Sequence, residues 1–192
     1  MHINELHRIV VRTSVDVVSR VRDDDLARPT PCSEWTLADL LAHMTAQHHG
    51  FAAAARGRGG DPEVWQVRAA GPAEYADAAE DVLAAFAQPV PEFDLPEFGA
   101  RFPAAQAIGF HLIDYVVHGW DVARSLGLEY RLDPDVAEVA LPIALAVPGG
   151  ESRLVPGAPF GPALAGDDVD PLRRILTTLG RSPEWEPRVT DS

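Results

Sequence analysis

An all-α fold is what this sequence predicts, on three observations. Apolar residues recur at three- and four-residue spacing through several long stretches. No stretch shows the strict alternation of a half-buried strand next to hairpin turns, and the helical stretches are bounded by capping residues, prolines and glycines. At 192 residues, 46% hydrophobic and 23% charged, the chain has the composition of one globular domain with a sizeable core. Four longer helices with irregular connections predict a four-helix bundle over residues 1–150, with residues 151–192 as a small C-terminal helical appendage packed on it.

The first helix starts at Ile3, with Leu6, Ile9, Val10, Thr13, Val17 and Val21 as its apolar stripe, and runs into Asp23, Asp24 and Asp25, which read as a solvated end. Pro29 and Pro31 then impose an extended path. Thr36 begins the second helix, its hydroxyl capping the N-terminus while Asp39 answers back. The stripe of that helix is Leu37, Leu40, Leu41, Met44, His48 and Phe51, and the glycines at 57, 59 and 60 end it. Pro72 opens a third helix through Tyr75, Ala79, Val82, Leu83 and Phe86, stopped by Pro89 and Pro91. Residues 89–102 are expected to be an irregular connection. Pro103 opens the most hydrophobic helix, expected to be central, and Gly127 terminates it. A further helix from Asp135 to Val147 tolerates Pro142, and a last one begins at Asp170 and Pro171 and stops at Gly180.

Charge narrows the function. The net charge is −13, and all sixteen basic residues are arginine. Lysine chemistry, whether Schiff base, phosphate loop or general base, is therefore excluded. A strongly acidic chain is also a poor partner for nucleic acid or an anionic membrane. The single cysteine, Cys32, cannot form an intrachain disulfide, and the first helix is too interrupted by charge for a signal peptide or membrane span, so a cytoplasmic location is expected.

The central helix carries the chemistry. His111, Asp114 and His118 lie three and four residues apart and project from one stripe. On an arbitrary helix an Asp and a His four apart are most simply a hydrogen bond or a surface ion pair. Here they sit among Ile108, Leu112, Tyr115, Val116 and Val117, where an unpaired carboxylate is costly to bury and a metal would neutralise it. The second helix offers His43, His48 or His49 as a further ligand, and spacing leaves the choice open. Zinc-protease, Rossmann and serine-hydrolase motifs are absent. Cys32 reads as a small buried hydrophobe, Trp120 as core, and Asp121 as a partner of Arg124 or a cap. Arg56, Arg58, Arg101 and Arg124 are available to anchor a polar ligand, although most are expected in solvent.

Two segments resemble a known family. Thr30-Pro31-Cys32-Ser33-Glu34-Trp35-Thr36-Leu37-Ala38-Asp39-Leu40-Leu41-Ala42-His43 is similar to the second-helix start of DinB-like proteins, in the mycothiol-dependent maleylpyruvate isomerase branch. Asp114-Tyr115-Val116-Val117-His118-Gly119-Trp120-Asp121-Val122-Ala123 is similar to the third-helix signature of that branch, and Gly180-Arg181-Ser182-Pro183-Glu184-Trp185 to the ending of actinobacterial members. The resemblance implies a DinB-like four-helix bundle holding a divalent metal on His43, Asp114 and His118, with Asp114 where the isomerases commonly carry Glu. It implies a metal-dependent mycothiol S-transferase or thiol-assisted isomerase, whose partners are a small electrophilic substrate and a low-molecular-weight thiol, mycothiol being the co-substrate. Zinc is the first expectation, with nickel, iron or manganese as alternatives. The rival reading is a non-catalytic metal- or small-molecule-binding bundle. A homodimer is left open, since no exposed apolar stripe requires one.

Overall fold

The computed structural model describes residues 2–32, 34–96, 99–154, 160–166 and 168–187. Its helices are α1 (Ile3–Val18), α2 (Leu37–Ala55), α3 (Pro72–Phe86), α4 (Ala104–Ser125), α5 (Pro134–Ala146) and α6 (Pro171–Thr178). Two short strands, β1 (Glu92–Leu95) and β2 (Ala100–Pro103), lie between α3 and α4. No helix among the described residues is long and apolar enough to cross a membrane.

The caps fall where residue chemistry puts them. Thr36 accepts from the Asp39 amide while Asp39 accepts from the Thr36 amide at 2.9 Å, which satisfies two otherwise orphaned donors of α2. Asp133 and Asp170 cap α5 and α6 through their side chains. Gly127 follows α4 in the left-handed region, as Gly180 does after α6.

Helix α1 packs on α4 and α3, α2 packs on α3 and α4, α5 lies against α4 and α1, and α6 lies on α5. Helix α4 is the central element and is buried on almost every face from Ala107 to Ser125. Leu6, Leu37, Leu41, Tyr75, Leu112 and Val116 belong to the main core. A second cluster of Phe51, Phe86, Phe93, Leu95 and Ile108 closes the end beside the strands.

Three expectations change. The buried face of α1 is Leu6, His7, Val10, Val11, Ser14 and Val18, whereas Ile9, Thr13 and Val17 are only half-buried. The helix is rotated because polar His7 and Ser14 find partners inside, which a hydrophobic count cannot anticipate. The connection at 89–102 contains an antiparallel hairpin pairing Phe93 with Phe102 and Leu95 with Ala100. Each strand is four residues long, too short to show a period, and it is held because Phe93 and Leu95 fill the second cluster. The acidic run at 23–25 is not wholly solvated, since Asp25 is buried, caps a 3-10 turn and pairs with Arg28 at 2.8 Å.

Of the expected extension, 155–159, 167 and 188–192 lie outside the described residues. After α6, Gly180 donates to the Thr177 carbonyl and Arg181 to the Leu176 carbonyl, a Schellman turn that needs the φ of +78° at Gly180. A Cβ at Gly180 would also lie 2.6 Å from the carbonyl carbon of Gly161. Gly180→Ala is therefore expected to cost at least about 1–2 kcal/mol in urea unfolding, the left-handed penalty for a residue with a Cβ.

Candidate metal centre

His118 is the hub of a charged cluster on α4. Its ring is wholly buried, and Nδ1 lies 2.9 Å from Asp121 Oδ2, one turn on. Nε2 faces the other way, 3.3 Å from Asp114 Oδ1, without hydrogen-bond geometry to any partner among the described residues. From α2, His43 brings its ring to 5.2 Å from that of His118, edge on, and its Nε2 is also buried without a partner. One ligand atom from each of His43, Asp114 and His118 lies within 4.8 Å of the others. Asp114 keeps 16% of its side chain exposed, so the group opens to solvent on that side.

The loop before α2 builds a wall of this site. The amide of Leu37 donates to the Arg28 carbonyl and that of Trp35 to Cys32, while the Thr30 hydroxyl donates toward the Cys32 and Trp35 carbonyls. These bonds hold the Trp35 ring 4.7 Å from His43 and 6.0 Å from His118. Phe160 stacks at 6.2 Å over the His118 ring.

Charge is balanced around His118. Burial disfavours its imidazolium, but Asp114 and Asp121 outweigh burial and push its pKa up to about 9. Asp114 and Asp121 are pushed up by burial, and their cationic neighbours, His118 for the first and Arg181 for the second, bring both below the usual carboxylate range. His43 is held down to about 4 by burial. Burial also lifts the Cys32 thiol to about 11, so it stays protonated at neutral pH.

The other candidate histidines go elsewhere. His49 is exposed on α2. His48 and His111 join His7 in a separate, fully buried chain, with His7 Nε2 at 2.8 Å from His111 Nδ1 and His111 Nε2 at 3.3 Å from His48 Nδ1. The rings of His48 and His111 stack on Tyr115 at 4.1 and 4.3 Å. Asp121 does not pair with Arg124, because Arg181 takes its carboxylate, while Arg124 donates to the Trp185 carbonyl. Arg56 and Arg101 form surface pairs with Asp81 and Glu92 and are not placed at the centre. Sequence reasoning missed His7 and Arg181. His7 carried a faint signal, lying four residues before Val11 on what proves to be the buried face, whereas Arg181 stood only within the segment similar to the ending of actinobacterial members, with no partner assigned to it.

Three comparisons bear on this geometry. The family described as Mycothiol maleylpyruvate isomerase N-terminal domain matches residues 7–123. An uncharacterized protein of Mycobacterium tuberculosis, found in two strains, is 33% identical over 144 residues, which is 75% of this chain and 78% of the relative. The crystal structure of a histidine-to-alanine mutant of the mycothiol-dependent maleylpyruvate isomerase superposes with a TM-score of 0.60 at 14% identity, covering 75% of this chain and 67% of that one.

Proposed function

The chain belongs to the mycothiol maleylpyruvate isomerase N-terminal domain family, and from that premise we propose that it is a metal-dependent mycothiol S-transferase or thiol-assisted isomerase acting on a small electrophile. The observation that carries the reading is the meeting of His43, Asp114 and His118, with His43 Nε2 buried without a hydrogen-bond partner among the described residues and His118 Nε2 turned to Asp114 at 3.3 Å. An orphaned buried polar nitrogen such as His43 Nε2 is costly, and a cation beside it would remove that cost. The field that holds a proton on His118 also favours a metal ion there. Two imidazoles and one carboxylate suit zinc first, and three protein ligands leave a position open.

When bound, a divalent cation at this position would stabilise the thiolate form of an incoming thiol at neutral pH. Asp121 holds the Nδ1 side of His118 and thereby turns Nε2 to the site. Trp35 and Phe160 cover the imidazoles and keep water from their faces. With the Cys32 thiol held near 11, the reacting thiol is supplied from outside. The same reading takes residues 1–150 as the bundle that holds the ligands and 151–192 as its extension.

Metal content of tag-free protein, measured by mass spectrometry on wild type, His43→Ala and His118→Ala, tests the reading. Near-stoichiometric metal in the wild type and its loss in both variants is expected, followed by metal-dependent consumption of mycothiol with a small electrophile. Equal metal-free behaviour in all three after reconstitution with zinc, nickel, iron and manganese would sink it, and metal binding without thiol turnover would leave a binding bundle.

A further inference from the structure

The family match ends at residue 123, but a buried side chain from well beyond it reaches the centre. Arg181 is 3% exposed and donates from Nε to both Asp121 oxygens, at 2.9 and 3.1 Å, and from an Nη to Oδ2 at 3.0 Å. Asp121 is fully buried and makes its remaining polar contact with His118 Nδ1 at 2.9 Å. The approach of Arg181 is set by the turn that ends α6. Its own amide bonds the Leu176 carbonyl at 2.8 Å, and the left-handed Gly180 packs against Gly161.

We infer that Arg181 and Asp121 are positioning residues of the metal centre, a buried ion pair through which the C-terminal segment fixes the ring orientation and tautomer of His118. The inference rests on the metal-centre reading above. Arg181 occupies both oxygens of Asp121 in a two-bond fork, which leaves the carboxylate a single orientation. That orientation points one oxygen at His118 Nδ1, so Nδ1 keeps its proton and Nε2 is the nitrogen turned toward Asp114 and His43, where a bound cation would take the place of a proton. A buried ion pair is weak evidence for a role in stability, since apolar residues of similar volume can replace one without loss. Its contact with the ring nitrogen opposite the open face of His118 is what a role in stability alone does not require. Ligand imidazoles commonly make this second bond to a carboxylate, and losing it typically weakens metal binding by roughly 10–100-fold.

Cobalt(II) titration of the full chain, with the dissociation constant from chelator competition and the visible d–d spectrum as readouts, tests this without reference to turnover. Asp121→Asn and Arg181→Gln are expected to bind cobalt roughly 10–100-fold more weakly than wild type, with an altered spectrum, and Arg181→Lys to recover part of the loss. Either single variant unbalances the charge of a buried pair, so the double variant Asp121→Leu/Arg181→Met is measured as well. It should stay folded by circular dichroism and show the same weakening. Nitrogen-15 spectra of His118 in the zinc-loaded protein should show the proton on Nδ1 and the metal on Nε2 in wild type, and a mixture of the two ring orientations in the double variant. A folded double variant with wild-type cobalt affinity and spectrum overturns the inference. If His43→Ala abolishes cobalt binding while that variant leaves it unchanged, only the positioning role falls. If wild type binds no cobalt, or His43→Ala binds it like wild type, the metal centre falls and the positioning role with it.

Discussion

Acidification from pH 7 to pH 5 is expected to remove several kcal/mol of folding stability, and the loss traces to His7, His48 and His111. Burial holds His7 down to about 3 and the other two well below the ordinary 6.5, and no carboxylate or arginine bonds any of them among the described residues. Their surroundings are Tyr75, Tyr115, Phe51 and Phe86, which offer no charge to offset a proton. Unfolding returns each ring to water, so below about pH 6.5 the unfolded chain binds more protons than the folded one, and stability falls with falling pH. The contribution is fully present above the unfolded pKa and is lost on the way down toward the folded one. At pH 5 His7, held near 3, costs about 2 kcal/mol, and His48 and His111 add to that loss in the same direction, against the roughly 5–15 kcal/mol that holds a domain folded. In the metal-free protein His43, held near 4, adds to the same loss. His118 acts oppositely: raised to about 9, its contribution is present below about pH 6.5 and lost as pH rises through about 9. Urea unfolding at pH 7, 6 and 5 measures this directly. Each of His7→Leu and His111→Leu should flatten the dependence by up to one proton, about 1.4 kcal/mol per pH unit. A dependence as steep in both variants as in wild type would contradict the assignment.

That histidine chain also marks the limit of what the sequence reveals. Capping and periodicity identified all six helices, because Thr36, Asp170, Gly127 and Gly180 act on their own neighbours, although the cap of α5 is Asp133 and not the Asp135 expected to start it. The pair Asp114 and His118 was legible for the same reason, being one turn apart on one helix, and it is the pair that the structure brings to His43. The choice of His43 over His48 needed the family resemblance, since both lie on α2 and only tertiary packing separates a ring at His118 from a ring at His111. His7 was passed over because a histidine in an amphipathic stripe counts as polar, although its partner sits 104 positions away. The pairing of Arg181 with Asp121 was hidden by the same kind of distance, 60 positions, although Arg181 lies in a segment that carries the family resemblance. The hairpin was missed because two buried side chains on β1 and none on β2 make too short a pattern.

Asp121→Ala alone is expected to destabilise the protein by about 3–5 kcal/mol, because it takes away the carboxylate whose two oxygens Arg181, 3% exposed, is hydrogen-bonded to. The buried Nδ1–H of His118 loses its acceptor in the same change, and an unsatisfied buried donor costs about 1–3 kcal/mol by itself. Arg181→Met strands the carboxylate instead and is expected to fall in the same range. The double variant Asp121→Leu/Arg181→Met removes both members of the ion pair and roughly preserves volume, so the cost should fall to the about 1–3 kcal/mol of the His118 Nδ1–H left without its acceptor. Urea midpoints for the four proteins of this cycle give the coupling energy. Strict additivity, with the double variant as unstable as the sum of the two single ones, would mean that Asp121 and Arg181 do not act as a unit. Recovery in the double variant would instead separate what the pair does for the fold from what it does for His118. The unbalanced charge would then account for the cost of each single substitution, and a change in His118 or in metal affinity that persists in the double variant would belong to the orientation of the ring.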